Sequence, residues 1–129
     1  MMRILGIGVD VIQNKRIQKL INNKIFIKRT FGKNEVKYAQ KNSNKINYFA
    51  KRFAAKEAFA KSLGTGFRNN LNFKDIEVLN NKIGKPYFSK SIKVDNIIKH
   101  KFKTKSYNMF LSITDEKEYS VAFTILQSK

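Results

Sequence analysis

The sequence lacks cysteine altogether, and among its 129 residues it has one histidine and nine acidic residues. Without cysteine there is no disulfide, no thiolate ligand for zinc and no thiol nucleophile. The single His100, between Lys99 and Lys101, leaves no His-rich metal site and no Ser-His-Asp triad. No apolar run approaches the roughly 18 residues of a membrane helix, and Asp10 interrupts the first residues too early for a signal peptide. We therefore expect a cytoplasmic protein with no membrane partner.

The chain also lacks a linker rich in proline, glycine or serine, so its length predicts one domain over residues 1–129. Its 27 basic residues outnumber the nine acidic ones and give a net charge of +18. Such a surplus suits nucleic acid, a membrane surface, an acidic protein or a phosphorylated ligand. Only five of the basic residues are arginine, and no helix-turn-helix, RNP-type or zinc-finger pattern is present. A basic nucleic-acid-binding module is kept as the alternative function, although we expect no nucleic-acid partner.

Hydrophobic periodicity predicts an α+β protein. The predicted strands cover residues 3–10, 75–79, 83–88, 107–113 and 119–126. The predicted helices cover residues 12–22, 33–42, 46–63 and 89–103. The order is β-ααα-ββ-α-ββ, in which helices and strands occur in runs, as expected for a small antiparallel sheet packed with helices.

The first strand carries Gly6, Gly8 and Asp10 on one face. Two positions without side chains allow the close approach of either a ligand or a packed helix. Asp10 is correspondingly either a ligand-binding carboxylate or the cap of the next helix. A dinucleotide-binding loop is disfavoured, because Val11 stands where the third glycine would be and no glycine-rich turn opens a helix.

The helix over 46–63 aligns Phe49, Phe53, Glu57 and Lys61 at intervals of four. Glu57 continues an apolar stripe, so its carboxylate is partly desolvated unless a cation neutralises it. The cation is either Lys61, in an ordinary helix salt bridge, or a bound divalent metal.

Asp10 and Glu57 would together suit Mg²⁺, which prefers a few carboxylate oxygens plus water and phosphate. Several basic side chains and backbone N–H groups elsewhere in the sequence could bind phosphates beside these two carboxylates. These are Arg52, Lys56, Lys61, Lys85 and the loop Gly64-Thr65-Gly66. The motifs predict a phosphate-and-metal site, provided that the fold brings the segments together.

Taken together, the motifs resemble the holo-acyl-carrier-protein synthase family of bacterial phosphopantetheinyl transferases. The resemblance rests on residues 6–10, 15–17, 51–61, 64–66, 76–78, 84–87 and 111–119, in the family's order and spacing. It implies a compact α+β fold and a homotrimer with active sites at the subunit interfaces. It also implies transfer of the 4′-phosphopantetheine group of coenzyme A to a serine of an acidic apo-acyl carrier protein, for fatty acid biosynthesis. An inactive relative that only binds carriers is a further alternative, against which the intact Asp10, Glu57 and Lys61 argue.

The resemblance also implies residue roles. Asp10 and Glu57 match the Mg²⁺ ligands, and with Lys61, near the transferred phosphate, they form the catalytic group. The serine proton goes to Glu57 or to water. The residues matching the coenzyme A site are Arg52, Gly64, Thr65, Gly66, Lys85, Pro86 and Thr114. The residues matching the carrier-binding surface are Lys15, Arg16, Lys19 and Arg29.

The chain departs from the family at Asp115, where many relatives have histidine. A carboxylate there would repel the 3′-phosphate of coenzyme A. Several basic positions of the carrier surface are also replaced, by Asn22, Asn23 and Phe26.

Overall fold

The structure is a computed structural model that describes residues 2–68 and 70–129. Three long strands form an antiparallel sheet in which the last strand of the chain is central, and two short strands form a separate hairpin. In chain order the elements are β1 (Ile4–Gln13), α1 (Asn14–Gln18), α2 (Lys24–Thr30), α3 (Lys33–Ala39), α4 (Lys45–Ser62), a 3₁₀ turn (Phe73–Asp75), β2 (Val78–Asn80), β3 (Pro86–Phe88), α5 (Ile92–Phe102), β4 (Tyr107–Asp115) and β5 (Tyr119–Ser128). The sheet order is β1-β5-β4.

Helix α4 is the centre of the core and packs across β1 and β5. Its small residues Ala54, Ala55 and Ala58 are fully buried against the sheet, beside Phe59. Because alanine adds little bulk, the helix axis can approach the strands closely. The sheet contributes buried side chains such as Leu126, so α4 is held in a fixed position over β1.

The opposite face of the sheet is apolar and uncovered. Ile7, Val9 and Val11 of β1 are more than half exposed, at 58%, 53% and 58%. The register pairs Val9 with Phe123 and, on the other side of β5, Phe123 with Ser112, so these residues share one face. Alternation along β1 thus directs the apolar row outward and the row containing Gly8 towards α4.

The α+β class and the antiparallel sheet are confirmed, but one helix was not predicted. Helix α2 begins after Asn23, whose side-chain oxygen accepts bonds from the N–H groups of Ile25 and Phe26. This is an ordinary asparagine N-cap. The predicted helix over 12–22 is also shorter, because β1 continues to Gln13, opposite Tyr119.

Two predicted strands begin later than the alternation indicated. The segment expected to start at residue 75 opens instead with the 3₁₀ turn, in which the Asp75 carboxylate accepts from the Asn72 N–H at 2.8 Å. The next strand begins only at Pro86. The Asn81 side chain accepts from the N–H groups of Ile83 and Lys85 and holds them in the turn.

Over the residues that the structure describes, no helix is long and apolar enough to cross a membrane.

Candidate active site

The two glycines of the first motif lie where β1 passes the end of α4. A Cβ on Gly6 would lie 1.9 Å from the carbonyl oxygen of Ser62, and one on Gly8 would lie 1.8 Å from that of Ala58. Side chains cannot approach a backbone oxygen so closely, so only glycine permits this packing. Of the two explanations that the motif left open, close helix packing is confirmed. It brings Asp10 against the last turns of α4.

Asp10 pairs with Lys61 from α4. The Lys61 ammonium lies 3.0 Å from an Asp10 carboxylate oxygen and also donates to the Val9 carbonyl at 3.1 Å. The Asp10 side chain is 15% exposed and that of Lys61 is 54% exposed. Asp10 does not cap the following helix, because α1 begins after Gln13.

Glu57 lies beside this pair and is half-buried. Desolvation raises the pKa of its carboxyl, and the negative charge of Asp10 raises it further. Lys61 and Arg16 oppose this rise. Among the described residues, Lys61 forms its ion pair with Asp10 and not with Glu57, so the interpretation of Lys61 and Glu57 as an ordinary helix salt bridge is wrong. Two carboxylates and two bases from β1, α1 and α4 therefore form one charged cluster.

The donor set of this cluster fits a divalent cation. Two carboxylates, one desolvated and repelled by the other, are stabilised by a positive charge between them. Within residues 2–68 and 70–129, no three or more His, Cys, Asp or Glu side chains come together as a metal site. A cation on Asp10 and Glu57 would thus take its other ligands from water or phosphate, which is the preference of Mg²⁺.

Arg52 points into the protein, away from solvent. Its side chain stacks 3.7 Å above the ring of Tyr48 and donates to the Tyr48 carbonyl and to the side chain of Asn80. Its Nε is buried without a partner in the described part of the chain, and burial lowers the pKa of the guanidinium. Within one chain Arg52 therefore connects α4 to the end of β2 by a hydrogen bond. Its role towards coenzyme A stays a prediction.

Lys56 is not available to a phosphate, so its place among the phosphate-binding bases was wrong. Its ammonium is completely buried and pairs with Glu35 at 2.7 Å. It also donates to the carbonyls of Phe73 and Ile76. All three donor positions of the ammonium are used inside the core.

The loop Gly64-Thr65-Gly66 follows α4 directly. Gly64 and Gly66 have φ values of +79° and +64° and open space where a Cβ would stand. The Gly64 N–H already donates to the Lys61 carbonyl at 3.0 Å. Of this loop, only the N–H groups of Thr65 and Gly66 are therefore left as candidates for an anion.

The remaining predicted coenzyme A residues lie on two other elements. Lys85 is exposed in the turn before Pro86, the first residue of β3. Thr114 is exposed near the end of β4, on the uncovered face of the sheet. The structure places these residues at the surface, and their roles stay predictions.

Asp115, the departure from the family pattern, is held by Asn47 at the start of α4. The Asn47 amide donates to the carboxylate at 2.6 Å. Both residues line a cavity of about 650 Å³ between α1, the start of α4 and the turn from β4 to β5. Asp10, Glu57 and Lys61 are not among the residues that line it. The cavity is thus a second polar recess beside the charged cluster.

Comparison with known families decides the class of this site. Residues 6–124 match the model of the 4′-phosphopantetheinyl transferase superfamily. The chain belongs to this superfamily. The matched range includes Asp10, Glu57, Lys61 and the loop after α4.

Individual transferases are similar over the whole chain. The holo-[acyl-carrier-protein] synthase of Pelagibacter ubique is 58% identical over 128 residues, 99% of this chain and 100% of that protein. A solved holo-(acyl-carrier-protein) synthase from Bacillus anthracis in complex with CoA (3′,5′-ADP) is 35% identical, with a TM-score of 0.81 and full coverage of both chains. The enzyme from Neisseria meningitidis is 33% identical, with a TM-score of 0.85, covering 96% of this chain and 98% of that one. The resemblance drawn from the motifs is confirmed.

The predicted carrier-binding residues of this transferase are exposed on or beside the first two helices. Lys15 and Arg16 are exposed in α1, Lys19 follows at its end, and Arg29 is exposed in α2. Arg16 also lowers the pKa of Glu57, so this surface lies within electrostatic reach of the charged cluster.

Sequence reasoning missed Asn14, which connects α1 to the turn between β4 and β5. Its buried amide donates to the carbonyls of Glu116 and Lys117 and accepts from the Ser120 hydroxyl. Its position between a strand and a helix is typical of a surface residue. The burial that gives it this role comes from a turn about 100 residues away, so no local pattern reveals it.

Proposed function

We propose that residues 1–129 act as a single transferase domain that uses Asp10, Glu57 and Lys61 to convert apo- into holo-acyl carrier protein. The reaction moves the 4′-phosphopantetheine group of coenzyme A to a carrier serine and releases adenosine 3′,5′-bisphosphate. The observation that carries the proposal is the contact of Lys61 with Asp10 beside a desolvated Glu57. We assign the enzyme to the cytoplasm, because its reaction consumes coenzyme A and serves fatty acid biosynthesis.

Phosphoryl transfer depends mainly on positioning and electrostatics, and few side chains do covalent work. The carrier serine attacks the phosphorus that bears pantetheine, and the bond to the adenosine bisphosphate breaks. Lys61, half-exposed and fixed by Asp10 and the Val9 carbonyl, faces the developing negative charge. Asp10 and Glu57 would hold Mg²⁺, which supplies, when bound, positive charge to the pyrophosphate oxygens.

We assign the serine proton to Glu57. A general base works best when its pKa lies near the working pH. In the metal-free protein, burial and the Asp10 charge move the pKa of Glu57 upward, in that direction, and a bound Mg²⁺ would lower it again. Lys61 and Arg16 limit the rise, which keeps the carboxylate available as a base.

The test is mass spectrometry of purified apo-carrier incubated with the enzyme, coenzyme A and Mg²⁺. A mass gain equal to phosphopantetheine is expected with the native chain, and little or none with Asp10→Ala or Glu57→Gln. Glu77→Gln is the matched control, because among the described residues the Glu77 side chain accepts a single long hydrogen bond, from Asn34 at 3.4 Å. Carrier binding without a mass gain would indicate an inactive relative. Carrier-independent, salt-sensitive binding to DNA or RNA would support the alternative function.

The acidic carrier is proposed to dock on Lys15, Arg16, Lys19 and Arg29. Complementary charges mainly accelerate encounter, so Arg16→Glu should raise the KM for the carrier, and more so at low salt. Lys101→Glu on α5 makes the same charge change at an exposed position far along the chain. An equal rise in KM for both variants would mean that only net charge matters.

The homotrimer is proposed on the uncovered face of the sheet. Contiguous exposed apolar surface of this kind is typical of a protein interface. Ile7, Val9 and Phe123 supply it, and Thr114 lies on the same face, so a neighbouring copy seated there would bring a site to the interface. Light scattering should give a trimer for the native chain and a smaller species for Val9→Lys. A native monomer with full activity would contradict the proposal.

A further inference from the structure

A second cavity, of about 640 Å³, opens between α2, α3 and α4. Its volume lies in the range of small-molecule sites. Phe31 and Phe49 form a buried part of its wall, with exposed fractions of 3% and 6%. Its apolar lining residues are Ile21, Ile27, Phe31, Val36, Ala39 and Phe49. We call this cavity the lysine-rimmed groove.

The rim of the groove is strongly basic. Five of its 13 lining residues are lysine and none is acidic, whereas lysine makes up 22 of the 129 residues of the chain. The five are Lys24, Lys28, Lys33, Lys45 and Lys74. None of them takes part in an ion pair among the described residues. Two acidic groups lie behind Gly32. Glu35 is buried and paired with Lys56, and Glu77 meets Asn34.

This arrangement costs the folded protein free energy. Lys24 and Lys28 lie four residues apart on α2, where like charges repel each other. Lys24 is also the first residue of the helix, whose first turn has no acidic residue, so it opposes the helix dipole. A bound anion would remove both penalties.

The groove is separate from the predicted carrier surface. Lys24, Ile27 and Lys28 recur on one side of α2, at the spacing of a helical face, and Phe31 follows directly after the helix. Arg29 lies about 100° further round the helix from Lys28, and it does not line the groove. A ligand in the groove would therefore leave Arg29 open to the carrier.

We propose that the lysine-rimmed groove binds an anionic amphiphile with one hydrocarbon chain, of the fatty-acid class. The chain would lie on Ile27, Phe31 and Phe49, and the carboxylate would meet Lys24 and Lys28. Apolar walls with charged groups only at the rim match a ligand that is apolar along its length and charged at one end. The bases come from three helices and the segment at Lys74, so they surround a concave site. An acidic protein helix would need a longer row of bases along an open channel.

The test is calorimetric titration of the full chain with decanoate below micelle formation. Saturable binding of one decanoate per chain is expected, and decan-1-ol, which has the same chain without charge, should bind at least about tenfold more weakly. Lys24→Glu with Lys28→Glu should weaken decanoate binding by at least about tenfold. Lys101→Glu with Lys105→Glu is the matched control for net charge and should leave binding unchanged.

A second variant tests the apolar wall without changing charge. Val36→Phe fills the groove and should abolish decanoate binding while urea unfolding shows that the chain still folds. If Val36→Phe does not fold, the two glutamate substitutions at exposed positions decide alone. Phosphopantetheine transfer is measured in parallel, and its failure would not affect this proposal.

Three results would overturn the proposal. Equal affinities for decanoate and decan-1-ol would mean that the lysines do not contribute to ligand binding. Unchanged decanoate binding in the variant with Lys24→Glu and Lys28→Glu would lead to the same conclusion. So would an equal loss of binding in the control with Lys101→Glu and Lys105→Glu. An absence of decanoate binding, together with a raised KM for the carrier in the Lys24 and Lys28 variant, would make the groove a protein-binding surface.

Discussion

Helix α4 carries two lysine–carboxylate pairs that differ in burial. Lys56 lies 2.7 Å from Glu35, and both side chains are fully buried. Lys61 lies 3.0 Å from Asp10, with exposed fractions of 54% and 15%. The two lysines are five residues apart on one helix, and one belongs to the core while the other belongs to the candidate active site.

The buried pair has no capacity left for a ligand. The Glu35 carboxylate also accepts from the N–H groups of Gly32 and Val78, at 2.9 and 3.1 Å. Lys56 donates to two further carbonyls, so the pair connects α3, α4 and the start of β2. In the exposed pair, Lys61 keeps half of its surface open and Glu57 stands beside it. The comparison teaches that the environment, and not the residue type, separates a structural lysine from a candidate catalytic one.

The largest effect is expected from Lys56→Met. Removing one partner of a buried pair leaves the other charge uncompensated, at a typical cost of about 3–5 kcal/mol. Burial already lowers the pKa of Lys56 while Glu35 raises it, so the ammonium depends on its partner. Urea unfolding should show the loss. A decrease below about 1 kcal/mol would mean that the pair is not the structural element that its burial indicates.

Glu57→Gln should lower the transfer rate and not the stability, in contrast to Lys56→Met. Removal of a general base typically lowers the rate by about 10²–10⁴-fold, which the mass-spectrometric transfer assay measures. Stability should not decrease, because the substitution removes a desolvated charge next to Asp10. A variant that loses stability but keeps its rate would reverse the comparison and make Glu57 a structural residue.

The sequence predicted the cluster better than it predicted the individual lysines. Asp10 was identified at the edge of the gap left by two glycines, and Glu57 and Lys61 were identified where a helix row passes from apolar to charged residues. The meeting of the two segments depends on Gly6 and Gly8, whose missing side chains admit α4. That contact can be anticipated from the residue type, although its partner on α4 cannot.

Lys56 shows what the sequence could not predict. It stands next to Glu57 in a basic, amphipathic helix, where the local sequence makes Lys56 and Lys61 equally acceptable as phosphate ligands. Its partner Glu35 lies 21 residues earlier, on a different helix, and nothing local indicates that the two meet in the core. Helix α2 was missed for a different reason. Its only start signal is Asn23, within a polar stretch that resembles a loop.

Stability in the absence of divalent cations should depend on pH through Glu57. Its pKa in the folded chain is raised above its ordinary value of 4.5. Between the unfolded and folded values the folded chain binds more protons, so its stability decreases as the pH rises through this window. Unfolding measured with a chelator should show this decline in the native chain and a flatter profile in Glu57→Gln. Identical profiles would mean that Glu57 is as well solvated as an unfolded carboxyl.

Mg²⁺ should reverse that decline. A ligand at ten times its Kd stabilises the folded state by about 1.4 kcal/mol. The native chain should gain stability from Mg²⁺ at neutral pH, whereas Asp10→Ala and Glu57→Gln should gain little. The Glu77→Gln control should respond like the native chain. An equal gain in all four proteins would place the cation elsewhere.

The smallest effect on stability is expected from Lys61→Met, the counterpart of Lys56→Met. An exposed ion pair contributes about 0–1 kcal/mol, so urea unfolding should change by no more than that. Transfer activity should nevertheless fall, because the ammonium that we propose faces the transferred phosphate is lost. The same substitution removes a charge that lowers the pKa of Glu57, so in the metal-free protein the pH window of Glu57 should move upward. If Lys61→Met destabilised the chain as much as Lys56→Met, both pairs would be structural, and the assignment of the active site to the exposed pair would fail.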